Sequence, residues 1–314
     1  MNILRKAPIG ENMYIVDMHC DSLLEVSATR GLKNPYNFSR EYPQLQFVAE
    51  FVPNKGTDPA VRRRQLMHYL DVYIAERARL DLVPVLNCHD LNFAKECERS
   101  ASILAIEGGG GLFADSEELN TLHRAGLRVL GIAWDTNELA TSAFDSEDNG
   151  LTEAGRALIQ RASEMGIILD VSHLSDRSTE ELLELTPYPV IATHSNFREV
   201  TNVKRNLPKP LARAIAARGG VIGLNLYPPT LREGGGATLD DILRHVDFAL
   251  ENYGENSLGF GFDIDGTDGE YPIGLDQHSS IHDRVVDILL SHYSESVVEK
   301  IAGGNVINFL KCNL

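Results

Sequence analysis

The chain has 314 residues, of which 43% are hydrophobic and 24% are charged, and its formal net charge at pH 7 is −16. The composition is that of an ordinary globular protein, and the sequence lacks the uninterrupted apolar stretch of ~18–20 residues that a membrane helix needs. The acidic balance also argues against nucleic acid as a partner, because phosphate binding needs clustered Lys and Arg.

The amino-terminal segment and the cysteines bear on the cellular compartment. Residues 1–11 contain charged residues, Gly and Pro but no apolar core of a signal sequence. The cysteines form no CxxC pair and are too few for a disulfide scaffold; they are Cys20, Cys88, Cys97 and Cys312. We therefore expect a cytoplasmic protein that does not associate with a membrane. The sequence leaves its oligomeric state open, a homodimer included.

Short apolar runs rich in β-branched residues recur along the chain and predict eight buried parallel strands. In chain order they cover residues 14–18, 45–51, 102–106, 127–134, 166–171, 189–193, 221–227 and 257–262. The segment 82–86 competes with the second and third of these strands. Amphipathic helices are predicted between most of them, at residues 58–80, 151–165, 175–185, 209–218 and 238–253.

The alternation of eight strands with helices favours a single (β/α)₈ TIM-type barrel that spans residues 1–314 as one domain. An α/β barrel routinely reaches this length without a second domain. The alternative is an open, doubly wound sheet. That alternative is disfavoured because no GxGxxG or P-loop motif follows the first strand.

Acidic and imidazole side chains follow five of the predicted strands. In a barrel the carboxyl ends of the strands meet on one face, which is where active sites form. His19 and Asp21 lie two residues apart after the first strand, so their side chains are expected to point the same way. The complete set is His19, Asp21, Glu107, His173, His194, Asp263 and Asp265.

This donor set predicts a metal site. Imidazole and carboxylate ligands suit Zn²⁺, and also Mn²⁺ or Fe²⁺. Three imidazoles and at least three carboxylates are too many for one tetrahedral zinc, but they suit two ions ~3.5–4 Å apart that share a carboxylate. Such a pair acidifies a water molecule, so the expected chemistry is metal-dependent hydrolysis.

The other seven histidines do not follow predicted strands. Five fall in predicted helical stretches and two in loops, and we interpret all of them as surface or packing residues: His68, His123, His245, His282, His292, His89 and His278. Cys20 lies between His19 and Asp21 on the opposite face of the strand. We interpret it as a packed thiol because no activating base stands beside it.

Six short motifs occur in one order along the chain. They are His-x-Asp at 19–21, Glu-Gly-Gly at 107–109, Asp-x-x-His at 170–173, Thr-His-Ser at 193–195, Arg-Asn at 205–206 and Gly-Phe-Gly-x-Asp-x-Asp-Gly at 259–266. Together they resemble the renal (membrane) dipeptidase family of amidohydrolase-type barrels, over nearly the whole chain. The resemblance implies a binuclear zinc dipeptidase, a metallopeptidase that cleaves the peptide bond of small dipeptide substrates.

The resemblance also implies a role for each metal-site residue. His19, Asp21 and Asp263 would bind the first zinc, His173 and His194 would bind the second, and Glu107 would bridge the two. Asp263 would in addition be the proton shuttle. It would accept a proton from the bridging water and donate it to the leaving amine. Asp265 ranks second for that role.

Substrate contacts are expected at five further positions. Arg205 would hold the carboxylate of the dipeptide in a bidentate pair, and Tyr227, at the end of the seventh predicted strand, would line the site. The family carries a Thr-His-Asn motif after the fourth strand, where this chain has Trp134, Asp135 and Asn137. Trp134 cannot take a proton at neutral pH, and Asp135 would favour a free amine or a cationic side chain on the substrate.

Two other functions remain open. The same fold and metals could serve a non-peptide amide, a lactone or a deaminase substrate, in which case Arg205 would not be needed. The replacement of the family histidine by Trp134 could also leave a catalytically impaired metal-binding homologue. The intact Asp263 argues against that third possibility.

Overall fold

The computed structural model describes residues 13–22, 44–52, 57–267, 269–275 and 281–314. The predicted surface residue His278 and the amino-terminal segment 1–11 lie outside these ranges. The strands are β1 (Ile15–Cys20), β2 (Gln44–Phe51), β3 (Val83–Pro84), β4 (Ala101–Glu107), β5 (Leu127–Gly131), β6 (Ile168–Asp170), β7 (Ile222–Leu224) and β8 (Leu258–Phe260).

Helices follow most strands of the described ranges. They are α1 (Pro59–Arg79), α2 (Cys88–Glu96), α3 (Glu117–Ala125), α4 (Glu153–Glu164), α5 (Asp176–Leu185), α6 (Lys209–Ala217), α7 (Pro228–Leu231), α8 (Leu239–Tyr253), α9 (Ile281–His292), α10 (Glu295–Glu299), a π-helix (Lys300–Gly304) and α11 (Asn305–Asn313). The five predicted helices are confirmed to within two residues at each end. Several begin where the sequence supplies a capping side chain, as at Asp58, Ser116 and Thr152.

The strands form one parallel sheet in the order β6-β5-β4-β2-β1-β8-β7, with β3 paired to β4. The gap between β6 and β7 is filled by a short segment, because Ile191 bridges to Asp170 and Ala192 bridges to Ile222, both in parallel. The sheet therefore closes on itself, and the predicted (β/α)₈-type barrel is confirmed. The open, doubly wound alternative is wrong.

Several predicted strands are too long. The sixth predicted strand is the clearest case: the segment 189–193 is not a regular strand, and only Ile191 and Ala192 make bridges. Pro189 has no N–H to donate to a neighbouring strand. The strand predicted at 127–134 ends at Gly131, because the carbonyl oxygens of Gly131 and Ile132 both accept the backbone N–H of Gly109, at 2.9 and 3.1 Å.

A bulge in β1 decides where its last residues point. Asp17 pairs with Gln46 and Cys20 pairs with Val48, so β1 has one more residue than β2 between these two pairs. A bulge of this kind turns the following side chains to a new direction. Cys20 accordingly packs in the apolar layer between barrel and helices, which confirms the packed thiol, and His19 turns toward the mouth.

The opposite end of the barrel is closed by the carboxyl-terminal helix. Val306 and Leu310 of α11 belong to the same apolar cluster as Met18 and Phe47 inside the barrel. Gly303 precedes this helix, and a Cβ atom there would overlap the carbonyl oxygen of Tyr14. Among the described residues, none of the helices is both long and apolar enough to cross a membrane. The assignment of residues 1–314 to one domain stays a prediction.

Candidate metal centre

Six predicted ligands meet at the carboxyl ends of the strands, although they come from distant parts of the sequence. Their donor atoms form three overlapping triads, within each of which all atoms lie within 4.8 Å of one another. These triads are His19–Asp21–Glu107, Glu107–His173–His194 and His19–His194–Asp263. All six side chains are buried. The structure thus brings together every residue of the expected ligand set.

Glu107 lies between two groups of ligands. Its Oε1 atom is 2.8 Å from Nε2 of His173 and 3.2 Å from Nε2 of His194. Its Oε2 atom is 3.6 Å from Nε2 of His19, and that nitrogen is 3.4 Å from Oδ2 of Asp21. One carboxylate therefore offers one oxygen to each group, which is the arrangement of a carboxylate that bridges two ions.

Burial and mutual repulsion shift the titration of the acids in this cluster. Burial, together with the charge of Asp21, raises the pKa of Glu107 to about 7 and that of Asp263 to about 6. Burial also lowers the pKa values of His173 and His194 well below the ordinary value, so both imidazoles are neutral. Neutral imidazoles are the form that binds metals, and crowded carboxylates are stabilised by a cation.

His19 differs from the other two histidines. Burial alone would lower its pKa, but the charges of Glu107 and Asp21 outweigh burial and raise the pKa well above the ordinary value. This site therefore attracts positive charge. Nε2 of His19 and Oδ1 of Asp21 are buried and make no hydrogen bond within the described ranges, although buried polar atoms are nearly always paired. The residues present thus fit a bound metal cation.

The tautomer of His194 is set by its neighbours. The hydroxyl of Thr193 donates to Oδ2 of Asp170 at 2.5 Å and stands 2.8 Å from Nδ1 of His194. Because the hydroxyl hydrogen is used on Asp170, the Thr193 oxygen accepts from Nδ1–H of His194. The lone pair of Nε2 is left facing Glu107. Such partners behind a ligand fix its orientation and raise its basicity.

Asp263 is held by a residue that the sequence analysis missed. Asn225 donates its side-chain N–H to Oδ2 of Asp263 at 3.1 Å, which leaves Oδ1 on the side of His19, 3.9 Å from Nε2. Asp263 has a positive φ of 60° and His173 one of 69°, a region that non-glycine residues seldom adopt and that clusters at functional sites. The sequence does indicate that Asn225 faces the site, because Asn225 lies two residues before Tyr227 and shares the same face of the predicted strand.

A second missed pair stands behind β1. Asp17 is fully buried and accepts backbone N–H groups from His19 at 3.2 Å and Phe262 at 3.0 Å. Its other oxygen is 2.8 Å from Nε2 of His282 on α9. Asp17 therefore ties together the two chain segments that carry His19 and Asp263. His282 was predicted as a surface or packing residue; it is buried and packed, and it anchors this carboxylate.

Arg205 lies beside the ligand cluster. Its guanidinium donates to the carbonyl oxygen of His194 at 2.8 Å and to the hydroxyl of Ser195 at 3.0 Å. These bonds fix the guanidinium plane, and the residue as a whole is half-buried. A fixed guanidinium suits a planar carboxylate.

The residues after β5 divide into two groups. The Trp134 ring lies 5.9 Å from the ring of His173, at the edge of the cluster. Asn137 is turned into its own loop, where it donates to Ile132 O and accepts from Leu139 N and Ala140 N. Asp135 is buried and accepts from Thr136 N at 2.9 Å. Substrate contacts by Asp135 and Asn137 stay predictions.

Two other predicted positions lie near the mouth. Tyr227 is half-buried, and its backbone N–H donates to Oδ1 of Asn225 at 2.6 Å; a substrate contact by Tyr227 stays a prediction. Asp265 is exposed and accepts from the hydroxyl of Ser22 at 2.6 Å. It belongs to none of the three triads. Its lower rank as a proton carrier stays a prediction.

Known proteins resemble this chain over most of its length. The model of the membrane dipeptidase family (peptidase family M19) matches residues 4–312. Dipeptidase aclJ of Aspergillus oryzae is 29% identical over 314 residues, which is 98% of this chain and 68% of that protein.

Two solved structures share the fold. One is a metallopeptidase described as dipeptidase AC, with a TM-score of 0.85 at 23% identity over 96% of this chain and 99% of the other. A metallopeptidase from Rhodobacter sphaeroides, liganded with a phosphinate mimic of the dipeptide L-Ala-D-Ala, has a TM-score of 0.84 at 22% identity over 97% and 100% of the two chains. With the family match over nearly its whole length, this chain belongs to the membrane dipeptidase family of metallopeptidases and is a metal-dependent hydrolase.

Proposed function

We propose that the protein is a binuclear zinc dipeptidase that hydrolyses the peptide bond of free dipeptides. The observation that carries the proposal is the position of Glu107, whose two oxygens face two separate groups of ligands. His19, Asp21 and Asp263 would hold one ion, and His173 and His194 the other. Zinc is the ion proposed because imidazole and carboxylate are its usual ligands in hydrolases.

When bound, two zinc ions would polarise the scissile carbonyl and lower the pKa of the attacking water to ~7. Asp263 would receive the proton of that water, with its carboxylate held in place by the amide of Asn225 at Oδ2. It would then give the proton to the leaving amine.

Arg205 would select dipeptides by length. Its guanidinium donates to the backbone carbonyl of His194, so we infer that a carboxylate paired with it would lie one residue away from a carbonyl at the metal centre. A tripeptide has no carboxylate at that distance. The proposed clamp therefore favours dipeptides over longer peptides and over substrates that lack a carboxylate.

The test compares the zinc-loaded protein with the Arg205→Ala variant on a dipeptide, the matching dipeptide amide and a tripeptide. Loss of a charged hydrogen bond is expected to lower kcat/KM for the dipeptide by about 10- to 100-fold. The slow cleavage of the dipeptide amide, which offers no negative charge, should be the same in both proteins. Lys204→Ala is the matched control, because it removes an exposed cation one residue away and should change neither rate.

Two results would contradict the proposal. One is the absence of dipeptide hydrolysis in protein that has been stripped with a chelator and reloaded with zinc. The other is an equal loss on dipeptide and dipeptide amide in Arg205→Ala. The second result would favour a substrate that is not recognised through a terminal carboxylate.

A further inference from the structure

Three aromatic side chains stand beside the metal ligand His173, and we call them the aromatic wall: Phe51 at the end of β2, and Trp134 and Phe144 in the loop after β5. The ring centroids of Phe51 and Trp134 are 4.9 Å apart, and those of Trp134 and Phe144 are 5.4 Å apart. Trp134 and Phe144 each approach the His173 ring, at 5.9 and 5.5 Å. The wall is therefore continuous with the metal centre.

Phe144 is unusual because it is both exposed and fixed. Its side chain is 53% exposed, but the hydroxyl of Ser142 accepts its backbone N–H at 3.3 Å and donates to Trp134 O at 2.8 Å. The backbone N–H of Ala143 donates to His173 O at 2.8 Å. These bonds anchor the loop backbone that carries both rings, so a ligand that covers the rings orders little of the loop and removes apolar surface from water.

The position of the wall relative to Arg205 indicates which part of a dipeptide it would meet. Arg205 bonds to the backbone of His194, which follows the segment 191–192, whereas the wall contacts His173, which follows the neighbouring strand β6. With the substrate carboxylate at Arg205 and the scissile carbonyl at the metal ligands, the chain of the substrate continues away from Arg205. The next side chain along it is that of the amino-terminal residue.

We propose that the aromatic wall is a subsite for a large apolar side chain, aromatic or branched aliphatic, on the amino-terminal residue of the dipeptide. This inference rests on the proposed function. Apolar and aromatic side chains bury area against such rings and gain further from ring contacts. A cationic side chain would also be attracted to the rings. A cation covering the rings would lose water without a carboxylate among the wall residues to pair with it, so we infer a neutral side chain.

The test measures kcat/KM of the zinc-loaded protein on a panel of dipeptides. All of them have alanine at the carboxyl terminus, which is supplied in both stereochemical forms. The amino-terminal residue is Phe, Leu, Ala, Lys or Asp. Phe-Ala and Leu-Ala are expected to exceed Ala-Ala by about 10-fold or more. Phe144→Ala should lower the ratio of Phe-Ala to Ala-Ala by about 10-fold, and Phe144→Leu, which keeps apolar bulk, should lower it less. Phe93→Ala removes another exposed ring, 43% exposed on α2, and should leave every ratio unchanged.

A second readout does not depend on turnover. Trp134 is the only tryptophan of the chain, so its fluorescence reports directly on the wall. In the Asp263→Asn variant, Phe-Ala is expected to change the emission at about 10-fold lower concentration than Ala-Ala, and this difference should shrink when Phe144→Ala is added.

The outcomes separate the two proposals. Hydrolysis of Ala-Ala or Lys-Ala as fast as Phe-Ala, or an equal loss on all substrates in Phe144→Ala, would overturn the aromatic subsite and leave the dipeptidase standing. Failure of the wild-type protein to cleave any dipeptide of the panel would overturn the proposed function and the subsite together.

Discussion

Replacing Asp263 with asparagine is expected to lower kcat/KM for dipeptides by about 10²- to 10⁴-fold, the usual contribution of a positioned acid–base group. Asparagine keeps the shape of the side chain and its hydrogen bond to Asn225, but an amide oxygen cannot carry the proton from water to the leaving amine. The loss should appear in kcat, because the substitution does not change the proposed contact between Arg205 and the substrate carboxylate. Steady-state kinetics on the zinc-loaded variant measures it.

The chain supplies a matched control for this experiment two residues away. Asp265 is also an aspartate with a positive φ, of 67°, but it is exposed and bonds to Ser22 outside the ligand cluster. Asp265→Asn is therefore expected to change kcat/KM by less than about 10-fold, below the contribution of an acid–base group. Equal losses in the two variants would contradict the role of Asp263 as the proton carrier.

Replacing Glu50 with glutamine is expected to make the protein more stable at neutral and alkaline pH. Glu50 is fully buried on β2, and neither carboxyl oxygen has a hydrogen-bond partner within the described ranges. Burial raises its pKa well above the ordinary value. The carboxyl group of Glu50 therefore stays protonated in the folded protein, whereas in the unfolded chain it ionises with a pKa of ~4.3.

The sign of the pH effect follows from this difference. The folded state binds more protons than the unfolded state above the unfolded pKa, so the free energy of unfolding falls as pH rises toward the folded pKa. Each pH unit in that window costs ~1.4 kcal/mol, and glutamine does not titrate. The difference in unfolding free energy between Glu50→Gln and the wild type should grow with this slope.

Denaturant unfolding of both proteins across pH 5–8 measures the difference, in which the titration of the metal ligands cancels. Glu184→Gln, which changes an exposed carboxylate on α5, is the matched control and should show no such growth. A constant difference between Glu50→Gln and the wild type would mean that Glu50 is ionised in the folded protein.

The barrel and the ligand set were predictable from the sequence because both depend on simple periodicity. Buried parallel strands are continuous apolar runs in the sequence. In a barrel, the residues that follow these strands all lie on one face. His19 and Asp263 lie at opposite ends of the chain but meet in the structure through that rule. The segment 189–193 was also predicted as a strand, although only its residues Ile191 and Ala192 make bridges.

The supporting contacts were not predictable in the same way. The bond from Asn225 to Asp263 and the link from Asp17 to His282 join residues far apart in sequence, and no local pattern encodes such pairs. Phe144 lies in the irregular loop between β5 and α4, where neither the strand period nor the helix period applies. Cytoplasmic location and oligomeric state also stay predictions, because they concern the surface and its surroundings.

The central claim is that six side chains gather around two ions, and a crystal structure of the zinc-loaded protein tests it most directly. X-ray data collected at the zinc absorption edge should show two anomalous peaks ~3.5–4 Å apart. One peak should lie within bonding distance of His19, Asp21 and Asp263, the other near His173 and His194, with Glu107 between them. A single peak, or none at these side chains, would contradict the account.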